Sequence, residues 1–230
     1  MAQNTDTLKL TAELEKEYGK DTADKLVSYI DMVLERNEHI NLTAVRDRDE
    51  AMQKHLADSL SVTSLPEYRA AHSIIDVGTG AGFPGAILAI ADPDKDFVLL
   101  DSTLKRLRVI DEFAQTLGIT NVQTVHARAE ELSKKPEYNG SFDLCVSRAV
   151  ASLDKLAGWC LPFVRRGGYF IAYKGENYAE ELEAAGKSLR KFRGNLVRAV
   201  QIDTQAQDIS GHVLLLIKKD EQEKGTVTIR

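Results

Sequence analysis

A cluster of glycines framed by two aspartates is the feature of this sequence best suited to chemistry. In IIDVGTGAGFPG, residues 74–85, Gly78, Gly80, Gly82 and Gly85 follow the short apolar run that carries Asp76. Glycine at this density ruins a helix or strand, but it supplies positive φ angles and lets the main chain lie against a ligand. Pro84 suits the first turn of a helix, and the unpaired N–H groups of a helix opening there would face a carboxylate or phosphate. A second acid, Asp101, ends the apolar run FVLLD 21 residues beyond Gly80. GAGFPG followed by an acid at that distance fits the G-x-G-x-x-G pattern of dinucleotide sites, in which the acid bonds the adenosine ribose. Metal and disulfide chemistry find no such support. His39, His55, His72, His126 and His212 follow no metal-ligand spacing, and Cys145 and Cys160 form no CxxC pair. No metal is therefore expected.

Hydrophobic periodicity shows what must position these residues. From residue 73 short apolar strands alternate with helical segments: SIIDV, a helix through GAILAIA, FVLLD, a helix through KRLRVIDEFAQTL, VQTVH, a short helix near AEEL, FDLCVS, a helix through LDKLAGWCLPFV, and YFIAY. Five apolar strands separated by helices predict a parallel sheet covered on both faces. LVRAVQI and HVLLLI then read as a closing antiparallel pair, giving a mostly parallel seven-stranded α/β sheet of Rossmann-like type. Asp76, Asp101, Glu130, Arg148 and Lys174 all fall at carboxyl ends of strands, where such sheets bind ligands at the point of strand-order reversal. Before the sheet, residues 22–37 and 48–64 repeat apolar positions at helical spacing. The expected organisation is an N-terminal helical cap over residues 1–70 and an α/β domain over residues 71–230, with a soft boundary at PEYRAAH. At 43% hydrophobic and 28% charged, the chain can bury a substantial core. The run AGFPGAILAIA is too short and too broken to cross a bilayer, and the first residues lack the layout of a signal peptide. A cytoplasmic location is expected.

The glycine loop also fits a second frame, D-x-G-x-G-x-G, through Asp76, Gly78, Gly80 and Gly82, and in this frame it resembles the first motif of class I S-adenosylmethionine-dependent methyltransferases. That resemblance implies that Asp76 reaches the amino group of the methionine end, directly or through water, and that Asp101 holds the ribose hydroxyls. Asp76 separates the two cofactors. A charge at the end of a buried strand needs a partner; a cationic cofactor supplies one, whereas a pyrophosphate would repel it. The plainer alternative is an aspartate that only caps the loop.

NLTAVRD (41–47), HLADSL (55–60), DVGTGAGFPG (76–85), LLDSTLKR (99–106), SRAVASL (147–153) and YKG (173–175) stand in this order and spacing. Together they closely resemble the RsmG (GidB) family over roughly residues 25–218. The resemblance implies methyl transfer from S-adenosylmethionine to N7 of a guanosine in the 530-loop region of 16S ribosomal RNA. It also implies the cofactor site: Asp76, Gly78, Gly80, Gly82, Phe83, Asp101, Ser102, Ala129, Glu130 and Arg148. Among these, Gly78, Phe83, Ala129, Glu130 and Arg148 match the family's own cofactor positions.

What the sequence lacks agrees with this chemistry. Transfer to an exocyclic amine commonly uses an (N/D)PP(Y/F) loop, and transfer to pyrimidine C5 needs a cysteine nucleophile; here the fourth strand ends in VSRA, and Cys145 lies inside FDLCVS as a buried thiol. Guanine N7 carries a lone pair and no proton, so no general base is assigned and catalysis reduces to holding nucleophile and methyl in line. Arg148 is expected to orient the guanosine or a flanking phosphate. The net charge of −5 leaves RNA binding to local clusters, because charges beyond about 8 Å are largely screened. His55, Asp58, Lys105, Arg106 and Lys174 are the candidates, with the basic run at residues 187–198 a further cluster or simply a solvated helix face. His55 and Asp58 share a helix face and could instead join the N-terminal helices to the sheet. The expected partner is 16S rRNA or the small subunit, and no exposed apolar patch points beyond a monomer. Rival readings are a methyltransferase for another RNA position or a small molecule, an NAD-dependent oxidoreductase, and a cofactor-sensing binding module.

Overall fold

A computed structural model describes residues 5–202 and 212–220. Two helices, α1 (Thr5–Tyr18) and α2 (Lys20–Asn37), open the chain. Leu26, Ile30 and Val33, apolar at helical spacing, are buried along α2 with Ala23 and Tyr29. At the end of α2 the buried Asn37 side chain organises the next loop. Its Nδ2 donates to the Thr43 carbonyl at 2.9 Å, and its Oδ1 accepts from the Leu42 and Thr43 amides at 2.8 and 3.1 Å. Asp47 then caps α3 (Arg48–Ala51) by accepting from the Glu50 amide. The helix continues through a π-helical stretch, Met52–Ala57, into α4 (Asp58–Leu60) and a 3₁₀ turn, Ser61–Ser64. Helix α5 (Pro66–Arg69) leads into the sheet.

Seven strands follow: β1 (Ser73–Val77), β2 (Asp96–Asp101), β3 (Val122–His126), β4 (Phe142–Arg148), β5 (Val164–Lys174), β6 (Gly194–Gln201) and β7 (Val213–Lys219), in spatial order β3-β2-β1-β4-β5-β7-β6. The first five are parallel, and β7 lies between β5 and β6, antiparallel to both. This is the expected mostly parallel seven-stranded sheet. The order reverses between β1 and β4, so a crevice opens beyond their carboxyl ends.

Side chains alternate across each strand and divide the interior in two. On one face Ile74, Leu99, Val146 and Leu216 pack with α2, α6 (Gly85–Ala91) and α7 (Leu104–Leu117); on the other Ile75, Leu100, Phe170 and Ile217 pack with α8 (Ala129–Leu132), α9 (Leu153–Cys160) and α10 (Tyr178–Lys191). The boundary expected near residue 70 falls inside the first of these layers, because Leu14, Leu26, Tyr29, Tyr68 and Ile74 belong to one continuous cluster. The N-terminal helices thus complete a sheet layer. Helix α10 is absent from the sequence reading. Tyr178, Leu182, Ala185 and Leu189 pack one apolar stripe at helical spacing against the second layer, a periodic signal the sequence reading did not use. The basic run 187–198 is split between the last turn of α10 and strand β6, where Arg198 pairs with Glu67 at 2.7 Å.

Candidate active site

The glycines of the loop after β1 serve two different neighbours. Gly82 has φ +92°, and a Cβ there would lie 2.1 Å from the Tyr29 hydroxyl, which donates to the Ala81 carbonyl at 2.9 Å. At Gly85 a Cβ would lie 2.3 Å from Leu99 and 2.8 Å from Asp76. What approaches the backbone at these two positions is the protein's own α2 and sheet. Gly78 and Gly80 also line a cavity of about 610 Å³, a volume typical of small-molecule sites; a Cβ at Gly78 would lie 2.6 Å from Val150, whereas Gly80 meets no side chain. Phe83, Asp101, Ser102, Ala129, Glu130 and Arg148 line it too; Asp76 and Gly82 stand behind its wall.

The two aspartates hold the loop in different ways. Asp101 lies at the cavity surface, its Oδ2 accepting from the Gly80 amide at 2.9 Å and its Oδ1 from the Thr103 amide at 2.8 Å. Each carboxylate oxygen keeps acceptor capacity for a ribose hydroxyl. Asp76 is fully buried and accepts the Gly85 amide through Oδ2 at 2.9 Å. Burial pushes its carboxyl up to about 6, against the pull of the Thr79 hydroxyl and the Gly85 amide. Thr79 stands close without hydrogen-bond geometry, so Asp76 Oδ1 and Thr79 Oγ1 are buried polar atoms with no partner among the described residues. Such atoms are rare in folded proteins and call for a ligand or water. Thr79 lines the cavity, so the orphaned pair lies directly behind the wall against which a cationic, amine-bearing ligand would rest. With Asp101 and the bare backbone at Gly78 and Gly80, these residues fit S-adenosylmethionine.

Arg148 organises the opposite end. Its Nη1 donates to Asp58 Oδ2 at 2.8 Å and to the Lys54 carbonyl at 2.9 Å, and its Nη2 faces His55 Nδ1 at 3.4 Å. Its guanidinium lies 5.5 Å over the Phe83 ring, on which His55 also stacks at 4.5 Å. Asp58 is 1% exposed, and its second oxygen meets His212 Nδ1 at 3.0 Å. Burial acts to raise Asp58, but the His212 and Arg148 partners hold it below the ordinary aspartate value. Burial and the Arg148 charge together push His55 down to about 4, so its ring is neutral near pH 7. Ala149, the next residue, holds φ +55°, a strained backbone of the kind found at binding sites.

Asp58 and Lys174, both expected at the RNA, are instead committed to partners inside the protein. Asp58 is an internal anchor joining α4 to Arg148, because an unpaired carboxylate at that depth would be costly. His55 packs beside it on Phe83. Lys174 is 8% exposed and donates to Glu181 at 2.7 Å and to the Ala151 carbonyl at 2.8 Å, so its charge is already matched. Arg106 lines the cavity 3.9 Å from Asp101, and Lys105 is exposed on the first turn of α7. The cavity also takes in Thr43, Val150 and the lone tryptophan, Trp159. None of these was singled out from sequence; Thr43 lies in the NLTAVRD block, and Trp159 has no local signal at all.

A parallel sheet closed by an antiparallel seventh strand, a nucleoside-sized cavity at the strand-order reversal and an acid at the end of β2 define a class I S-adenosylmethionine-dependent methyltransferase. The fold is shared with solved structures of low sequence identity: a SAM-dependent O-methyltransferase from Thermotoga maritima (TM-score 0.56, 14% identity, 76% of this chain and 72% of that one), and a fibrillarin pre-rRNA processing protein from Methanococcus jannaschii (TM-score 0.51, 16% identity, 69% and 70%). The family model for GidB, rRNA small subunit methyltransferase G, matches residues 22–209. The chain is also 40% identical over 215 residues to ribosomal RNA small subunit methyltransferase G of Clostridium novyi (strain NT), covering 93% of this chain and 88% of that protein. With the protein of the same name from Alkaliphilus oremlandii (strain OhILAs) it shares 42% over 199 residues, 86% and 83% of the two chains. The chain belongs to the RsmG (GidB) family of rRNA methyltransferases, enzymes whose methyl donor is S-adenosylmethionine.

Proposed function

We propose that the enzyme transfers the methyl group to N7 of a guanosine in the 530-loop region of 16S rRNA. The observation that carries this reading is the state of the groups at the β4 end of the cavity. Arg148 is engaged with Asp58, Lys54 and His55; both His55 nitrogens have partners; Cys145 is buried and its thiol pushed well up by burial. No free base or nucleophile stands there among the described residues, and guanine N7 requires neither. The residues themselves then supply positioning: Asp101 and the loop hold the nucleoside, while Phe83, His55 and Arg148 form a rigid wall for the incoming base.

RNA has a surface to follow. A groove of about 1190 Å³ adjoins the cavity at Glu130 and Trp159, and its lining includes Lys134, Lys155 and Lys191, while Arg165 and Lys219, also in the lining, are bonded to Asp143 and to the Leu161 and Val164 carbonyls. In a chain of net charge −5, this local clustering suits a phosphate backbone. No described helix is long and apolar enough to cross a membrane; we take the enzyme to act in the cytoplasm, as a monomer, on the small subunit or its RNA. Incubation of small subunits or 16S rRNA with methyl-labelled cofactor, followed by nucleoside mapping, should give 7-methylguanosine in the 530 loop. Label at another base or position would overturn the reading.

A further inference from the structure

Thr43 occupies an unusual position in the hydrogen-bond network of the β4 end. Its Oγ1 lies 2.7 Å from His55 Nε2 and accepts from the Val45 amide at 3.2 Å. The direction of the first bond is fixed from the other side of the ring. Arg148 Nη2 faces His55 Nδ1, and a guanidinium can only donate, so Nδ1 presents its lone pair and the ring proton sits on Nε2. The depressed affinity of His55 for a second proton keeps the ring neutral, as a single ring proton requires. Nε2–H therefore donates to Thr43. With two donors already directed at it, the threonine oxygen has both lone pairs occupied, and its own proton must be donated outward. Thr43 is half-buried and lines the cavity on the side of His55, Phe83 and Arg148, away from the Asp101 end that suits the ribose.

We propose that the Thr43 hydroxyl is an obligate donor that bonds O6 of the target guanine and so selects guanine over adenine. The inference rests on the N7 reading above. Along this edge guanine offers two acceptors, N7 and O6, whereas adenine places an amino donor where O6 would be. A donor at O6 leaves the N7 lone pair free to attack the methyl group. It also meets adenine's amino group donor against donor. A hydroxyl free to rotate would accept or donate as required; this one is held to donating by Asn37, which fixes the loop, and by His55 and Arg148, which fix the tautomer.

The test is a cycle of protein and substrate changes. Small subunits are reassembled on 16S rRNA carrying either guanosine or 2-aminopurine at the target; 2-aminopurine keeps N7 and lacks O6. Wild-type enzyme should prefer guanosine in kcat/KM by about tenfold or more, the effect of leaving a buried donor unpaired. Thr43→Val should bring that ratio close to one, and Thr43→Ser should restore it. Because the ratio is taken within each variant, a general loss of folding or activity in Thr43→Val cancels. An unchanged ratio in Thr43→Val would overturn the inference. So would cofactor affinity, measured by calorimetry, that falls in Thr43→Val and recovers in Thr43→Ser while the ratio stays fixed, since the hydroxyl would then serve the methionine carboxylate. If wild-type product carries its methyl elsewhere than N7, the functional reading itself fails, a result the ratio cannot mimic.

Discussion

The two ends of the cavity are built on different principles. The end formed by β1 and β2 presents the main chain of Gly78 and Gly80 and the Asp101 carboxylate to the cavity, with Asp76 behind that wall, all supplied between residues 76 and 101. At the β4 end every group is placed by a partner distant in sequence: Arg148 by Asp58 and Lys54, His55 by Thr43, and Asp58 by His212. The first end is a local motif that many chemistries can share. The second requires the N-terminal helices to be folded onto the sheet, so the surface proposed for the acceptor base forms only with the complete core. On the proposed function, binding the cofactor and choosing the acceptor would fall to separable parts.

Breaking the β4 end should have the largest effect. Arg148→Ala leaves buried Asp58 with His212 alone, and removal of one partner of a buried ion pair costs about 3–5 kcal/mol. The variant's denaturant midpoint should fall together with a turnover loss of about 100-fold, typical of a misplaced reacting group. Adding Asp58→Asn should recover part of the stability and none of the turnover. Full recovery of turnover would show that Arg148 acts on the fold alone. At the other end, Gly82→Ala forces a Cβ against the Tyr29 hydroxyl at a left-handed backbone that costs an alanine about 1–2 kcal/mol even in open space. Thermal melts should show a loss exceeding that figure, and Tyr29→Phe in the same chain should relieve part of the excess, the Ala86 Cβ at 2.8 Å keeping the rest. A loss confined to the backbone figure would mean that α2 yields to the loop.

A third experiment separates the ends by pH. In the free protein Asp76 is raised by burial to about 6, above its ordinary 3.8. Its contribution to stability is therefore complete below about pH 4 and is lost as pH rises through 6, where the buried group must ionise. Cofactor binding has the opposite sign, because a cationic ligand favours the ionised form. Calorimetry should show affinity weakening by up to tenfold per pH unit as pH falls below about 6. Asp76→Asn should flatten that slope. A slope that persists in the variant would assign the titration to another group.

This division also explains what could be read before the structure. The strands, their order of appearance and the glycine loop were legible because short continuous apolar runs and glycine spacing are local signals. Gly78, Gly80, Phe83, Asp101, Ser102, Ala129, Glu130 and Arg148 line the cavity as the strand ends suggested. Depth was not legible. Charge alone does not separate Lys105, exposed on α7, from Lys174, buried against Glu181, because the difference lies in a partner contributed by α10, a helix with only two buried apolar residues. Nor could Thr43 be distinguished from any other threonine, since its direction of donation is fixed by His55 and Arg148, 12 and 105 residues further along the chain.

The smallest expected effect concerns the RNA surface, and it sharpens the same contrast between free and committed charge. Lys155 is exposed in the basic groove, whereas Lys174 is matched by Glu181 and the Ala151 carbonyl. Neutralising a lysine that contacts one phosphate removes about one counterion from the binding equilibrium, lowering the slope of log affinity against log salt by about 0.9 on a duplex and about 0.7 on a single strand. Lys155→Ala should therefore shallow the salt dependence of rRNA binding by close to one, with melting temperature unchanged. Lys174→Ala should leave the salt slope alone and lower stability instead, because Glu181 loses its half-buried partner. Equal salt slopes for Lys155→Ala and wild type would take the RNA off the groove and return it to the α7 side of the cavity, where Lys105→Ala would then carry the change.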